Sequence, residues 1–211
     1  MTSGSRKSPV QSRDAESTKA KILDAAEQEF ARLGLVGART EAIAAQTGVT
    51  KAMIYYYYES KEKLYEAVLQ RVYQERVTVV HAIAHGEPDP EICLQKLLSN
   101  LISNSANNPN WPAIMMLEAM QNKGQYYSKV GIGAFYRTIA SVVERGIASG
   151  IFRNVDPMHT AVNLVGLCSF YFCASENLKH LWPGKDMRSK VMIQQHEQEA
   201  VDMILRGLRA G

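Results

Sequence analysis

The stretch TEAIAAQTGVTKAMIYYYYESK, residues Thr40 to Lys61, decides the fold of the first part of this chain. Two short helical patterns are separated by Gly48, which supplies a left-handed turn at little cost. Ala44 is small enough to let two helices cross closely, and Ile54 can fill the angle between them. The stretch therefore predicts a helix-turn-helix, whose second helix lies in the major groove of DNA.

The chemistry of the second helix predicts its contacts with DNA. Thr40 and Thr50 stand where the two helices begin, so each hydroxyl can cap a free amide or bind a phosphate. Lys51 can bind guanine O6 or N7, and Ala52 or Met53 can pack on a thymine methyl group. We expect the N-terminal residues of this helix to recognise the DNA sequence.

Four consecutive tyrosines point all the way round a helix, so they cannot share one role. We expect Tyr58 to pack in the core against the first and fourth helices. Tyr55 and Tyr56 are expected to face the DNA backbone or a base, and Tyr57 is left open. Lys61 begins the next helix, where its charge and the free amides suit a phosphate. The alternatives are pure packing for any one tyrosine and a solvated side chain for Lys61.

The segment GVTKAMIYYYYESKEKL, from Gly48 to Leu64, resembles the recognition segment of the tetracycline-repressor (TetR) family of bacterial transcriptional regulators. Upstream, Phe30 to Gly34 and Thr40 to Ala44 are similar to the rest of the same DNA-binding domain. The resemblance covers about residues 17–64. It implies a DNA-binding regulator with a C-terminal helical domain that dimerises and holds a small effector.

Three positions depart from the family pattern. Ala52 stands where glycine is common, Tyr56 where histidine is common, and Tyr58 where phenylalanine is common. The methyl group of Ala52 comes closer to the groove, so the base preference of relatives does not transfer. Tyr56 can still donate a hydrogen bond to phosphate.

Helical patterns continue on both sides of this stretch. Apolar residues recur at helical spacing from Ser17 or Thr18 to Gly34, and again from Lys61 to Gly86. No convincing strand pattern occurs, so we predict an all-α fold of about nine helices. The predicted divisions are a flexible arm at 1–15, a helix-turn-helix domain at 16–63, and a helical effector-binding and dimerisation domain at 64–211.

Composition sets limits on function. The chain has 211 residues and a formal net charge of +3, so any positive surface for DNA must be local. Cys93, Cys168 and Cys173 lie in apolar runs without CxxC spacing, as expected for reduced core residues of a cytoplasmic protein. The uncharged run from Met158 to Ser175 contains several polar residues and is interpreted as a buried helix rather than a membrane span.

Two helices are the best candidates for a homodimer interface. The uncharged helix from Pro157 is apolar on most of its circumference, and Ala161, Gly166 and Ala174 permit close approach. Together with the last helix, from about Asp186, it predicts an interface between two copies of the chain. Burial of both helices within one subunit is the alternative. A dimer would present two recognition helices to a palindromic operator.

The middle helices carry aromatic and methionine side chains that suit an irregular, largely apolar effector. Glu118 and Asn163 are of interest because a polar side chain on such a helix needs a partner, which a ligand can supply. A plain hydrophobic core is the alternative. The candidate pocket residues are Trp111, Met115, Glu118, Met120, Tyr127, Phe135, Asn163, Cys168 and Tyr171.

Other classes of function remain as alternatives. An enzyme with an appended DNA-binding head is disfavoured because the later residues contain no phosphate-binding loop, GxSxG or HExxH motif. His81 and His85 have the spacing of metal ligands but lack a third ligand, so no metal or other cofactor is expected. A helical adaptor that binds protein is the third reading. We favour a repressor that an effector releases from DNA through the helix beginning at Lys61.

Overall fold

The computed structural model describes residues 9–211, and side chains from residue 14 onward. The predicted arm at 1–15 lies outside the described residues as far as residue 8. The first helix already begins at Pro9, earlier than the expected Ser17 or Thr18. Proline suits the first turn of a helix, and no glycine or proline follows before Gly34, so nothing in the sequence forces a later start.

The described residues form ten α-helices and one short 3₁₀ helix, which confirms the predicted all-α fold. The helices are α1 (Pro9–Gly37), α2 (Thr40–Thr47), α3 (Lys51–Tyr58), α4 (Lys61–Gly86), α5 (Pro90–Asn107), α6 (Asn110–Asn122), α7 (Ile132–Ala148), α8 (Pro157–Cys173), α9 (Ser175–Leu178) and α10 (Lys190–Leu208), with the 3₁₀ helix at Lys179–Leu181. The tenth helix, beyond the nine expected, is the single turn α9.

Local capping explains most helix boundaries. The side chains of Ser60, Asp89 and Asp156 each accept a hydrogen bond from a backbone amide in the first turn of α4, α5 and α8. The last helix starts later than the expected Asp186, because Ser189 is the residue that caps it. Asp186 instead accepts a hydrogen bond from the Arg188 amide at 2.8 Å, within the turn before the helix.

Buried side chains form two hydrophobic cores, and α4 contributes to both. The head core joins α1, α2, α3, the first half of α4, α6 and the segment at residues 126–127. The distal core joins the second half of α4 to α5, α7, α8 and α10. The buried side chains of α4 change core between Tyr73 and Val80, and not at residue 64. Helix α6 therefore packs on the DNA-binding part of the chain, chiefly against α1.

A buried carboxyl group fastens α6 to α4. Glu118 has no exposed surface and accepts hydrogen bonds from the Tyr65 hydroxyl at 3.0 Å and the Tyr126 amide at 2.7 Å. The Asn122 side chain supplies a third donor. Burial, and secondly the charge of Glu118, raises the pKa of Tyr65. Glu118 is thus fully satisfied within the protein and does not need a ligand as its partner.

We expect Tyr65→Phe to lower the free energy of unfolding by about 1.5 kcal/mol, because it removes one donor from a buried carboxyl group. Urea denaturation followed by circular dichroism measures the change. Tyr56→Phe is the matched control, since the Tyr56 side chain is exposed and its loss of a hydroxyl should not alter stability. Equal stability of the two variants would show that the Glu118 network does not stabilise the fold.

Candidate nucleic-acid interface

The turn between α2 and α3 has the geometry that the sequence predicts. Gly48 is left-handed, with φ 73°, and its amide donates to the Ala44 carbonyl at 2.9 Å. The Thr50 hydroxyl accepts a hydrogen bond from the Met53 amide at 3.2 Å and so caps α3. Ile43 and Ile54 are fully buried between the helices. These contacts fix α3 against α2 and leave its first turn at the surface.

The first turn of α3 presents its side chains to solvent. Lys51, Ala52 and Met53, which we predict to recognise DNA, are all exposed. Ile54 is the buried residue of this helix and holds it on the head core. The exposed surface therefore combines a cation, a methyl group and a thioether, which are suited to the edges of bases in the major groove.

The four tyrosines divide between core and surface. The Tyr58 hydroxyl donates to the Lys19 carbonyl at 3.1 Å, so this ring packs against α1 as expected. Tyr57 is half-buried against the same core. Tyr56 is 74% exposed, and its hydroxyl is available to a phosphate. Tyr55 is partly exposed, and its hydroxyl forms a hydrogen bond with the Thr40 hydroxyl, with 3.3 Å between the two oxygens.

The expected capping role of Thr40 is wrong. Arg39 occupies the N-cap position of α2, and no side chain caps the helix there. Thr40 is already the first helical residue and is buried, with its hydroxyl beside that of Tyr55. The Arg39 amide instead donates to the buried Glu29 carboxylate of α1 at 3.2 Å. A carboxylate of α1 thus satisfies the backbone amide of the N-cap residue itself.

Both lysines predicted to contact DNA have partners within the protein. The Lys51 ammonium donates to the Glu41 carboxylate on α2, and this contact lowers the pKa of Glu41. The Lys61 ammonium donates to the Val36 and Ala38 carbonyls at 3.4 and 3.2 Å, at the end of α1. A phosphate would have to compete with these contacts or share the ammonium groups with them.

A surface cleft of about 400 Å³ lies between the start of α2, the middle of α3 and the start of α4. Its lining includes Arg39, Thr40, Tyr55 and Lys61. Arg39 is not among the DNA contacts predicted from the sequence, although a basic residue directly before a helix N-terminus is a usable signal, since both features favour an anion. The cleft and the first turn of α3 together form what we term the DNA face.

Comparison with known proteins decides the family. The family model described as bacterial regulatory proteins of the tetR family matches residues 22–68, and the tetracyclin repressor-like C-terminal domain matches residues 90–204. The chain belongs to the TetR family. It is a DNA-binding transcriptional regulator, and its family and relatives are regulators rather than enzymes.

Individual relatives align with the regulator over nearly its whole length. The transcriptional repressor NicS of Pseudomonas putida is 28% identical over 210 residues, covering 97% of this chain and 98% of that protein. The regulator RutR of Escherichia coli K12 is 24% identical and covers 99% of both chains. The structure of Bacillus subtilis FadR in complex with stearoyl-CoA shares the fold, with a TM-score of 0.72 at 18% identity, covering 89% of this chain and 98% of that one.

The candidate effector residues do not come together in one place. Trp111, Met115, Glu118 and Tyr127 belong to the head core or pack against it. The remaining residues lie elsewhere. Phe135, Cys168 and Tyr171 are buried in the distal core, whereas Met120 and Asn163 are exposed at the surface. Most of the candidate residues are buried, as their helical spacing predicts. The buried candidates on α6 face the head core, however, whereas those on α8 face the distal core.

Two further expectations concern absences. The rings of His81 and His85 stack at 3.8 Å between centroids, and residues 14–211 contain no group of three or more side chains suited to a metal ion. No helix in the described part of the chain is long and apolar enough to cross a membrane.

We expect Glu41→Gln to strengthen binding of duplex DNA about threefold at low salt, because it removes a repulsive charge and frees Lys51. Fluorescence anisotropy with labelled duplex measures the affinity. Glu176→Gln is the matched control. Glu176 lies on α9, outside the DNA face, and forms a comparable exposed ion pair with Lys179. Equal affinities of Glu41→Gln and the parent chain would exclude Lys51 from the contact surface.

Proposed function

We propose that this regulator is a repressor whose dimer binds a palindromic operator and leaves it when a small effector binds. The observation that carries the proposal is α4, one continuous helix that starts at the DNA face with Lys61 and whose last buried residue, Ala84, belongs to the distal core. The names of relatives support repression, since NicS is described as a repressor.

Operator recognition is assigned to the DNA face. The exposed first turn of α3 would contact base edges, through Lys51, Ala52 and Met53. Tyr56 and Lys61 would bind phosphates on either side, and Thr50 would remain the cap that holds α3 in shape. Arg39 joins them as a phosphate contact at the start of α2.

The dimer interface is assigned to α8 and α10, as the sequence suggests. Met158, Val162, Gly166 and Phe170 are four residues apart on α8, and all are exposed. Residues at this spacing form one stripe along a helix, and the absence of a side chain at Gly166 permits a partner helix to approach. Two copies packed through this stripe would hold their recognition helices about one turn of DNA, ~34 Å, apart.

Release would follow from movement of α4. An effector that prefers a conformation with a different separation of recognition helices weakens operator binding by its differential affinity, about 1–3 kcal/mol in typical cases. Helix α6 gives a second connection, because it packs on α1 and bonds α4 through Glu118. The predicted divisions at 16–63 and 64–211 then separate DNA binding from effector binding and dimerisation. They do not coincide with the two cores, because the head core contains residues from both ranges.

Selection of bound duplexes from a random pool tests the proposal directly. We expect an enriched palindrome, bound by dimers and weakened by rising salt. A helical adaptor that binds protein would enrich no sequence. Failure to enrich any duplex at moderate salt would contradict the assignment of operator binding to this chain.

We expect Tyr56→Phe to weaken operator binding about fivefold for every sequence alike, because it removes one hydrogen bond to phosphate. Titration against the selected palindrome and a scrambled duplex measures the effect. Lys51→Ala should instead lose affinity mainly for the palindrome. A sequence-dependent loss in Tyr56→Phe would place the tyrosine against a base.

We expect Val162→Arg to convert the dimer to a monomer and to weaken operator binding by more than about tenfold, since it places a charge in the middle of the α8 stripe. Sedimentation velocity measures the association state. Met120→Arg is the matched control, because Met120 is also an exposed apolar residue but lies on α6. A dimeric Val162→Arg would exclude α8 from the interface.

A further inference from the structure

Arg76, in the middle of α4, is a buried cation without a counter-ion. Only 7% of its surface is exposed, and it is the one buried lysine or arginine among residues 14–211. One guanidinium nitrogen donates to the Val72 carbonyl of its own helix at 3.1 Å, and no described carboxylate forms an ion pair with it. Most of its five donors therefore have no acceptor in the protein.

Nearby carboxylates are engaged elsewhere. Glu27 influences Arg76 from a distance, but its oxygens accept hydrogen bonds from Arg71, Asn108 and Asn110. Glu118 is held by its own three donors, Tyr65, Asn122 and the Tyr126 amide. Burial lowers the pKa of Arg76 to about 10, and the distant charges of Glu27 and Glu75 offset this only in part. The group remains a cation at neutral pH.

The guanidinium lies beside a cluster of aromatic rings. It lies 4.4 Å from the centre of the Trp111 ring, and Trp111 packs edge-on against Tyr73 at 4.7 Å. Tyr73 in turn packs edge-on against Tyr127 at 5.1 Å. Both tyrosines influence Arg76 electrostatically. A flat, apolar ligand would find aromatic faces and edges here, next to a planar cation.

The same aromatic cluster contains a hydroxyl group without a hydrogen-bond partner. The Tyr127 hydroxyl is buried and makes no hydrogen bond to any described residue. Burial, and secondly Tyr73, raises its pKa, yet the two hydroxyls do not meet in hydrogen-bonding geometry. A buried hydroxyl without a partner is rare in native proteins, and here it lies in the same aromatic cluster as a cation without a counter-ion, so the two groups together point to a missing ligand.

We propose that Arg76, Trp111 and Tyr127 form the effector site, and that the effector is a small planar aromatic acid carrying a single carboxylate. The guanidinium binds the carboxylate through two parallel hydrogen bonds, the ring packs against Trp111 and Tyr73, and a polar ring substituent meets the Tyr127 hydroxyl. A single buried cation suits a monoanion. This inference deepens the proposed function, on which the consequence for DNA binding rests.

The location explains how such a ligand would act on the DNA face. Arg76 lies on α4, roughly 22 Å along the helix from Lys61 at 1.5 Å per residue. Trp111 lies on α6, which packs against α1. Tyr127 lies between α6 and α7, in a segment of turns that a ligand can displace more easily than a helix. A bound acid would thus contact α4 and α6 together.

The test uses benzoate and 4-hydroxybenzoate, with benzamide as the neutral control of the same shape. The full-length chain carries Trp182→Phe, so that Trp111 is the remaining tryptophan and reports binding by its fluorescence. We expect the acids to change this fluorescence at millimolar concentration, 4-hydroxybenzoate to bind more tightly than benzoate, and benzamide to bind at least about tenfold more weakly than benzoate.

Two variants separate a ligand contact from a structural role. Arg76→Met removes an unpaired buried charge while keeping a long side chain, so it should be at least as stable as the parent chain but bind neither acid. Arg76→Lys keeps the charge without the planar fork and should bind the acids about tenfold more weakly. The inference would be overturned if Arg76→Met unfolded or bound either acid. It would also be overturned if benzamide bound as tightly as benzoate, or if neither acid changed the Trp111 fluorescence of the parent chain.

Operator binding is measured separately on the same samples. We expect both acids to weaken operator affinity in the parent chain and not in Arg76→Met, which should bind the operator normally without acid. If the acids bind but operator affinity does not respond, the effector site stands as a binding site and the release mechanism fails. If the chain binds no operator at all, the proposed function fails. The fluorescence titration then still shows whether the acids bind at the proposed effector site.

Discussion

The hydrogen bond between the Tyr65 hydroxyl and the Glu118 carboxyl joins two parts of the molecule that the sequence keeps far apart. A fully buried carboxyl group is tolerated only when its oxygens are satisfied, so α6 must lie where Tyr65 and Tyr126 can reach it. This requirement holds α6 beside α4, where it also packs against α1. The DNA-binding part of the chain is therefore not an independent head on a flexible stem.

The burial of α4 in both cores has a mechanical consequence. Tyr65 and Tyr73 are buried in the head core and Val80 in the distal core, so α4 cannot move without repacking one of them. Close-packed cores transmit displacement because they have few voids to absorb it. Arg76 lies on α4 between Tyr73 of the head core and Val80 of the distal core, so a small displacement of α4 at Arg76 would disturb the packing of both cores.

Charge on this protein is arranged locally. With a formal net charge of only +3, long-range attraction to DNA is weak, and the DNA face itself contains Glu41 and Glu62 beside its cations. The Glu41–Lys51 pair is fully exposed and therefore contributes little to stability. Under the proposed function, its effect is on DNA binding, because a duplex has to offer Lys51 a better acceptor than Glu41.

The sequence by itself determined the features that depend on neighbours within one helical turn. The left-handed turn at Gly48, the caps Thr50, Ser60, Asp89 and Asp156, and the inward direction of Ile54 all follow from local backbone requirements. These features also carry the family resemblance. They were sufficient to predict an all-α, DNA-binding regulator.

Only the tertiary structure decided which side chains meet across the fold. Thr40 proved to be buried beside Tyr55, Lys61 bonded to the end of α1, and Glu118 satisfied by Tyr65. The lack of a counter-ion at Arg76 cannot be read from the sequence either, because Glu75 directly precedes it and the sequence does not show which side chains meet. Local propensity sets where helices begin and end, whereas burial and partnership depend on which helix faces meet, and that is settled by packing over the whole chain.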